Sequence, residues 1–165
     1  MWIAKTEAVA RPTPYPTIVT TAKLTNSPSG KRIEAIVDGE EPRASNDSTS
    51  YFDWWPRNGC PGAQGRPCSE GEWIEMAFAK PASVSETQIY WFDDTGRGGV
   101  RVPKSWRLLY KDGNDWKPVE AAGEYGVARD AYNTVHFKPV TTAALRLELV
   151  MQPGVSAGVQ EWKVK

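Results

Sequence analysis

Apolar and polar residues alternate along most of this chain, in short bursts. Over 72–78, Ile74, Met76 and Phe78 fall on one side and Trp73 and Glu75 on the other. Over 145–149, Leu145, Leu147 and Leu149 oppose Arg146 and Glu148. Successive side chains of a strand point to opposite faces, so each burst predicts a strand with one face in a core. The same pattern predicts strands over 18–24, 84–92, 105–110, 115–119, 134–137 and 159–164, and a short apolar segment at 33–37. Turn chemistry separates them at 80–83, 111–115, 139–142 and Gln152-Pro153-Gly154. No stretch keeps a 3.6-residue period over three turns. Many short strands with Gly/Pro turns predict an all-β fold, an antiparallel β-sandwich or barrel.

Strand direction then sorts the connections. The long loops at 93–103, 120–133 and 151–157 are expected at one end of the sandwich, and the short turns at 80–83, 111–115 and 139–142 at the other. Polar and aromatic loops gathered at one end of a rigid scaffold are where binding usually sits.

The loop 93–103 carries the densest chemistry. It holds Asp93 and Asp94, three glycines (Gly96, Gly98, Gly99) and two arginines, Arg97 and Arg101. Glycine lets backbone approach a ligand closely, and a guanidinium offers a forked pair of donors to vicinal oxygens or a carboxylate. The alternative is an internally braced loop in which the arginines pair with Asp93 and Asp94, and for Asp93 that reading is at least as strong. Trp54, in the aromatic run at 51–56, is the first candidate to stack on a sugar face, with Trp55 assigned to the core. Tyr125 and Tyr132 are second candidates in a loop expected at the same end. Trp73, Trp91, Trp106 and Trp162 lie in predicted strands and are expected to pack there. His136 has no catalytic partner in view.

Length and charge set bounds. One hundred and sixty-five residues suit one domain, here 18–165, preceded by a Pro-rich linker over 1–17 with Pro12, Pro14 and Pro16. A net charge of zero argues against nucleic acid or an anionic membrane as partner, and no apolar run is long enough for a membrane span. Cys60 and Cys68 enclose a Gly/Pro-rich loop. A disulfide there would contribute about 2–3 kcal/mol through chain entropy and imply an oxidising compartment; two free thiols are the alternative.

Several motifs, taken in order, resemble a known family. They are Asp38-Gly39, the run ending Trp54-Trp55-Pro56, 73–78 (WIEMAF), 90–113 (YWFDDTGRGGVRVPKSWRLLYKDG), 137–149 (FKPVTTAALRLEL) and 158–164 (GVQEWKV). Residues 18–165 resemble the coagulation factor V/VIII type C, or discoidin-like, galactose-binding-like domains. They are similar to family 32 carbohydrate-binding modules appended to bacterial glycoside hydrolases such as the family 127 β-L-arabinofuranosidases. The resemblance implies a jelly roll that binds a polysaccharide or oligosaccharide, of plant cell walls or related, at its loop end; from the loop chemistry itself, Trp54, Asp94, Arg97, Arg101, Tyr125 and Tyr132 are the residues expected to make the contact. It implies a parent catalytic domain in the same chain and an extracellular or periplasmic location as part of a secreted enzyme. It also implies a structural calcium ion drawing on Asp38 and Glu161, with carbonyls near Val37 and in 40–48, and Glu41, Asn46 and Ser48 as further guesses, to fill six to eight oxygen positions. Two other classes remain open: a small jelly-roll glycosidase or polysaccharide lyase, and a structural module that binds no sugar.

Overall fold

The computed structural model describes residues 17–27, 30–54 and 72–165. The proposed linker and the Cys60–Cys68 pairing lie outside the described residues, as does Trp55. Among those described, a helical turn α1 (Thr17–Thr20) leads into β1 (Lys23–Asn26) and β2 (Gly30–Lys31). A 3-10 turn (Ile33–Val37) precedes β3 (Phe52–Trp54). Then follow β4 (Glu72–Phe92), β5 (Val100–Arg101), β6 (Ser105–Asp112), β7 (Asp115–Pro118), β8 (Ala121–Ala122), β9 (Tyr132–Val150) and β10 (Ser156–Val164).

β4 and β9 form one long antiparallel ribbon, from Glu72↔Leu149 to Tyr90↔Tyr132. The ribbon bends midway, and each half serves a different layer. The first half of β4 lies between β1 and the second half of β9, which continues into β6 and β7. The second half of β4 lies between β10 and the first half of β9, with β3 and β2 beyond β10 and β8 beyond β9. The two layers close on one core. Ile74, Met76, Leu108, Leu145 and Leu147 come from the first; Ile89, Trp91, Val135, Val159 and Trp162 come from the second. Trp91 and Trp106 meet edge to face across the layers, ring centres 5.6 Å apart. This is the antiparallel β-sandwich that the alternation predicts.

Two expected turns are corners instead. Residues 80–83 and 139–142 stay extended, and the ladder skips between Ala77 and Ala82 and between Val84 and Glu86. Pro81 and Pro139 sit in these breaks, where the missing N–H costs no ladder bond. The turn residues therefore bend both strands together rather than reverse either. The strand expected over 18–24 begins late: α1 comes first and buries Val19, and only Lys23–Asn26 pairs with β4. Four positions of alternation were too few to exclude a single helical turn.

The ends sort as strand direction requires. At one end Ser156 N–H donates to Gly99 O, Lys104 N–H to Val150 O, and the indoles of Trp91 and Trp106 both donate to Gly126 O. At the other, Thr142 Oγ1 donates to Lys111 O at 2.8 Å. The first layer turns a polar face outward, where the Arg146 guanidinium lies 4.6 Å from the Trp73 ring centre and 5.3 Å from that of Trp116.

Candidate functional site

The loop 93–103 is held by its own acids. Asp93 is buried, and its carboxylate accepts from Thr95 N–H (3.0 Å), Thr95 Oγ1 (2.5 Å) and Val102 N–H (3.1 Å). Arg129 Nε lies 3.7 Å away. Burial alone would raise the Asp93 pKa, but the donors of Thr95 and Val102, with the charge of Arg129, prevail and hold it below the ordinary carboxylate range. Asp94 accepts from Val100 N–H at 2.8 Å through Oδ1, while its carbonyl takes the N–H groups of Arg97 and Gly98. Gly96 has φ of 90°, open only to glycine without strain, and a Cβ on Gly98 would come within 2.1 Å of Asp94 Oδ2.

The two arginines diverge. Arg101 Nη1 turns back onto Gly98 O (2.8 Å) and Val100 O (2.7 Å), with Asp94 Oδ1 at 3.4 Å. Arg97 is exposed and donates through Nη2 to Asn46 O. Arg97 and the segment 43–49 line an open cleft of about 420 Å³. Arg43, Asn46, Ser48 and Thr49 are among its lining residues. Asp47 organises this wall. It accepts from Arg43 Nε at 2.8 Å, Thr49 N–H at 3.1 Å and Thr49 Oγ1 at 2.6 Å, and Arg43 followed by Thr49 hold its carboxyl far below the usual range.

The segment 40–50 reads only as a polar loop in the sequence, yet it forms half of the cleft. Ser45 and Asp130 clip it to the loop before β9, Ser45 O accepts from Asp93 N–H at 2.8 Å, and Gln160 Nε2 donates to Ala44 O (3.0 Å) and Asp47 O (2.8 Å). Asp47-Ser48-Thr49, an acid with a hydroxyl residue two positions on, is the local signal that marks an organised turn here. The partners Ser45, Asp130 and Gln160 lie far apart in sequence and leave no such signal.

Of the six sugar-contact residues expected from the sequence, the structure leaves Arg97 open. Trp54 is 0% exposed, with Nε1 donating to Ser27 Oγ at 3.0 Å, so neither indole face reaches solvent. β3 pairs with β10 inside the sandwich and carries Trp54 into the core. Tyr125 lies edge-on to Trp106, centres 4.7 Å apart, against the core. Tyr132 donates to Glu41 Oε2 at 2.6 Å, and Lys163 Nζ sits 4.3 Å over its ring. Asp94 and Arg101 brace their own loop. Trp91, Trp106 and Trp162 are buried as expected, Trp73 lies on the outer face, and the His136 side chain is 67% exposed with Glu86 at 3.4 Å.

The expected cation residues behave differently from one another. Asp38 Oδ1 accepts from Glu40 N–H at 2.8 Å and Oδ2 takes the Ser50 hydroxyl, an ordinary turn arrangement that is also rich in oxygen. Glu41, guessed as a further ligand, is taken up by Tyr132 and Lys163. Glu161 is 0% exposed, and both its carboxylate oxygens lack a hydrogen-bond partner among the described residues. Burial pushes its pKa up to about 8 against the opposing pull of Lys163. Gln160 Oε1 is likewise buried without a donor. Among the described residues no three His, Cys, Asp or Glu side chains cluster. The unpartnered Glu161 carboxylate and the oxygen-rich Asp38 turn suit a hard cation such as calcium and do not suit zinc, which prefers clustered His and Cys.

No protein-family model matches the sequence. Solved structures do. A chain of the Streptococcus pneumoniae β-galactosidase BgaA superposes with a TM-score of 0.67 at 15% identity, over 88% of this chain and 96% of that one. The family 32 module of Clostridium perfringens NanJ, solved with galactose, gives 0.62 at 15%, over 89% and 95%. Chitosan-binding module 1 of a Paenibacillus chitosanase/glucanase gives 0.59 at 12%, over 92% and 99%. A Bacteroides thetaiotaomicron chain described as a putative α-L-fucosidase matches over 28% of its own length, so there the fold is one part of a longer chain. At these identities the likeness is one of fold. The protein is an antiparallel β-sandwich, and its fold is similar to that of the family 32 carbohydrate-binding module of NanJ.

Proposed function

We propose that this chain is a non-catalytic carbohydrate-binding module that takes glycans in the cleft between 43–49 and Arg97. The observation that carries the reading is that cleft: an exposed guanidinium with one nitrogen on Asn46 O, in an opening lined by the amide- and hydroxyl-bearing residues Asn46, Ser48 and Thr49. Such groups suit vicinal sugar hydroxyls. Structures of the same fold give it chemical context, since one was solved with galactose and another with GalNAc-β-1,3-galactose. Shallow polar sites of this kind bind with dissociation constants of about 0.1–1 mM, about 4–5.5 kcal/mol.

Plant cell-wall glycans are the ligands we put forward, with a parent glycoside hydrolase in an extracellular or periplasmic setting. Tethering would raise the useful affinity through effective concentration. Calcium supplies hard-cation charge to a buried carboxylate. Here Glu161 would hold it, with Asp38 and neighbouring carbonyl oxygens. The unpartnered, wholly buried Glu161 carboxylate supports that assignment.

The hydrolase alternative needs a carboxyl kept protonated beside a second, ionised one. Asp47 and Asp93 at the loop end are both held ionised, and Glu161, whose pKa is raised, is 0% exposed. The test is a glycan array followed by calorimetry with galactose, GalNAc-β-1,3-galactose, a chitosan oligosaccharide and arabinose-containing plant oligosaccharides. Binding to at least one supports the reading. Silence across the panel, or release of reducing sugar, contradicts it.

A further inference from the structure

We propose that the bulged residue Gln160 couples a divalent cation at Glu161 to the shape of the glycan cleft, so that cation and sugar bind with positive linkage. The sugar half of this statement rests on the glycan-binding function proposed above, and the cation-to-loop half on the assignment of a cation to Glu161 alone.

The coupling element is the junction of β10 with the loop above it. Val159 and Glu161 pair with the consecutive residues Trp91 and Tyr90, which leaves Gln160 as an extra residue, a β-bulge. Bulges re-aim side chains and recur beside functional sites. This one aims the Gln160 amide at two carbonyls of the cleft wall, Ala44 O and Asp47 O. Those carbonyls bracket Ser45, which is clipped to Asp130, and Asn46, whose carbonyl takes Arg97. Gln160 therefore holds the backbone that sets out Asn46, Ser48 and Thr49 along the cleft.

Glu161 is the next residue in the chain. The same loop reaches over this part of β10, since Glu41 meets Lys163 as Gln160 meets Ala44 and Asp47. Without a cation the Glu161 carboxylate, beside the strand segment that this loop covers, is buried with no donor among the described residues, a costly state relieved by opening to water. A cation removes that penalty in the closed state alone, so it favours closure. Closure is also the state in which Gln160 fixes the cleft. Two ligands that favour one state raise each other's affinity by the same factor.

The experiment uses the whole chain, dialysed against EDTA and then titrated with calcium chloride. Hydrogen–deuterium exchange is followed at the amides of 43–49, with calorimetry for calcium uptake. In the unaltered protein, calcium is expected to slow exchange over 43–49 by about fivefold or more. Gln160→Met keeps the side-chain volume and removes the donors. It is expected to retain calcium uptake and lose the slowing over 43–49. Calcium uptake with unchanged exchange at 43–49, no calcium uptake, or a Gln160→Met protein that responds like the original would overturn the proposal. Should that variant fail to fold, the unaltered protein decides by itself. For the sugar half, the glycan that binds best in calcium is titrated again in EDTA, and a fivefold or greater loss is expected. Equal affinity in both would overturn the linkage and leave the sugar-binding reading intact. No glycan bound in calcium would overturn that reading and the sugar half together, and the exchange result then judges the loop half.

Discussion

Ser45 and Asp130 exchange two hydrogen bonds of 2.7 Å: Ser45 N–H donates to Asp130 Oδ1, and Asp130 N–H donates to Ser45 Oγ. They are 85 positions apart in the chain, and Asp130 adopts the left-handed region with φ of 58°. The pair joins the cleft wall to the loop that leads into β9. A bond accepted by a carboxylate contributes about 1.5–3 kcal/mol. Asp130→Ala is therefore expected to lower stability by about 2 kcal/mol in urea unfolding. Asp130→Asn keeps an acceptor and tolerates the left-handed backbone, so its cost should be clearly smaller.

Trp54 is structural, and its substitutions should say so. Removing a wholly buried indole leaves a cavity, and Trp54→Ala is expected to cost about 3–5 kcal/mol. Trp54→Phe preserves most of the volume. Calorimetry on that variant should find glycan affinity within about twofold of the original, since a change below about 0.5 kcal/mol is all that an intact cleft would feel. A large loss of affinity in a folded Trp54→Phe protein would place the indole at the sugar.

Arg97 behaves in the opposite way. It is exposed, bonds one backbone carbonyl and holds no acid among the described residues, so Arg97→Ala should change stability by less than about 0.5 kcal/mol. Glycan affinity should fall about tenfold or more, the loss of a forked, charge-assisted contact worth about 1.4 kcal/mol or more. Lysine lacks the planar fork, so Arg97→Lys should recover little of it.

Asp93 gives the loop an acid limit. Its pKa lies below its unfolded value of about 3.9, so its contribution is complete above that value and is lost as pH falls through the folded one. Asp93→Asn should be less stable than the original at pH 7, and the difference should shrink below about pH 4. Urea midpoints across that range check it. A difference that stays constant with pH would mean that the carboxylate charge contributes nothing.

How far the chain could be read depended on whether its signals were local. Alternation in 72–78 and 145–149 marks β4 and β9, since burial of one face dictates residue type at every second position. The gathering of long loops at one end follows from strand direction alone. Trp54 was misplaced because aromatic content says nothing about which way a three-residue strand faces; the pairing of β3 with β10 decides that. Arg97 and Arg101 look equivalent in the sequence, and only the folded loop separates the brace from the exposed guanidinium. Ser45, Asp130 and Gln160 were invisible for a related reason. Each acts through backbone groups of a distant segment, and such pairs leave no mark on composition or period.

The most direct measurement is an amide NMR titration of the calcium-loaded protein with the glycan selected by array. Shifts are expected to concentrate in 43–49 and 96–101, with the Trp73 and Trp116 region still. Shifts centred on Trp73, Arg146 and Trp116, or no shifts with any glycan, would contradict the proposed site.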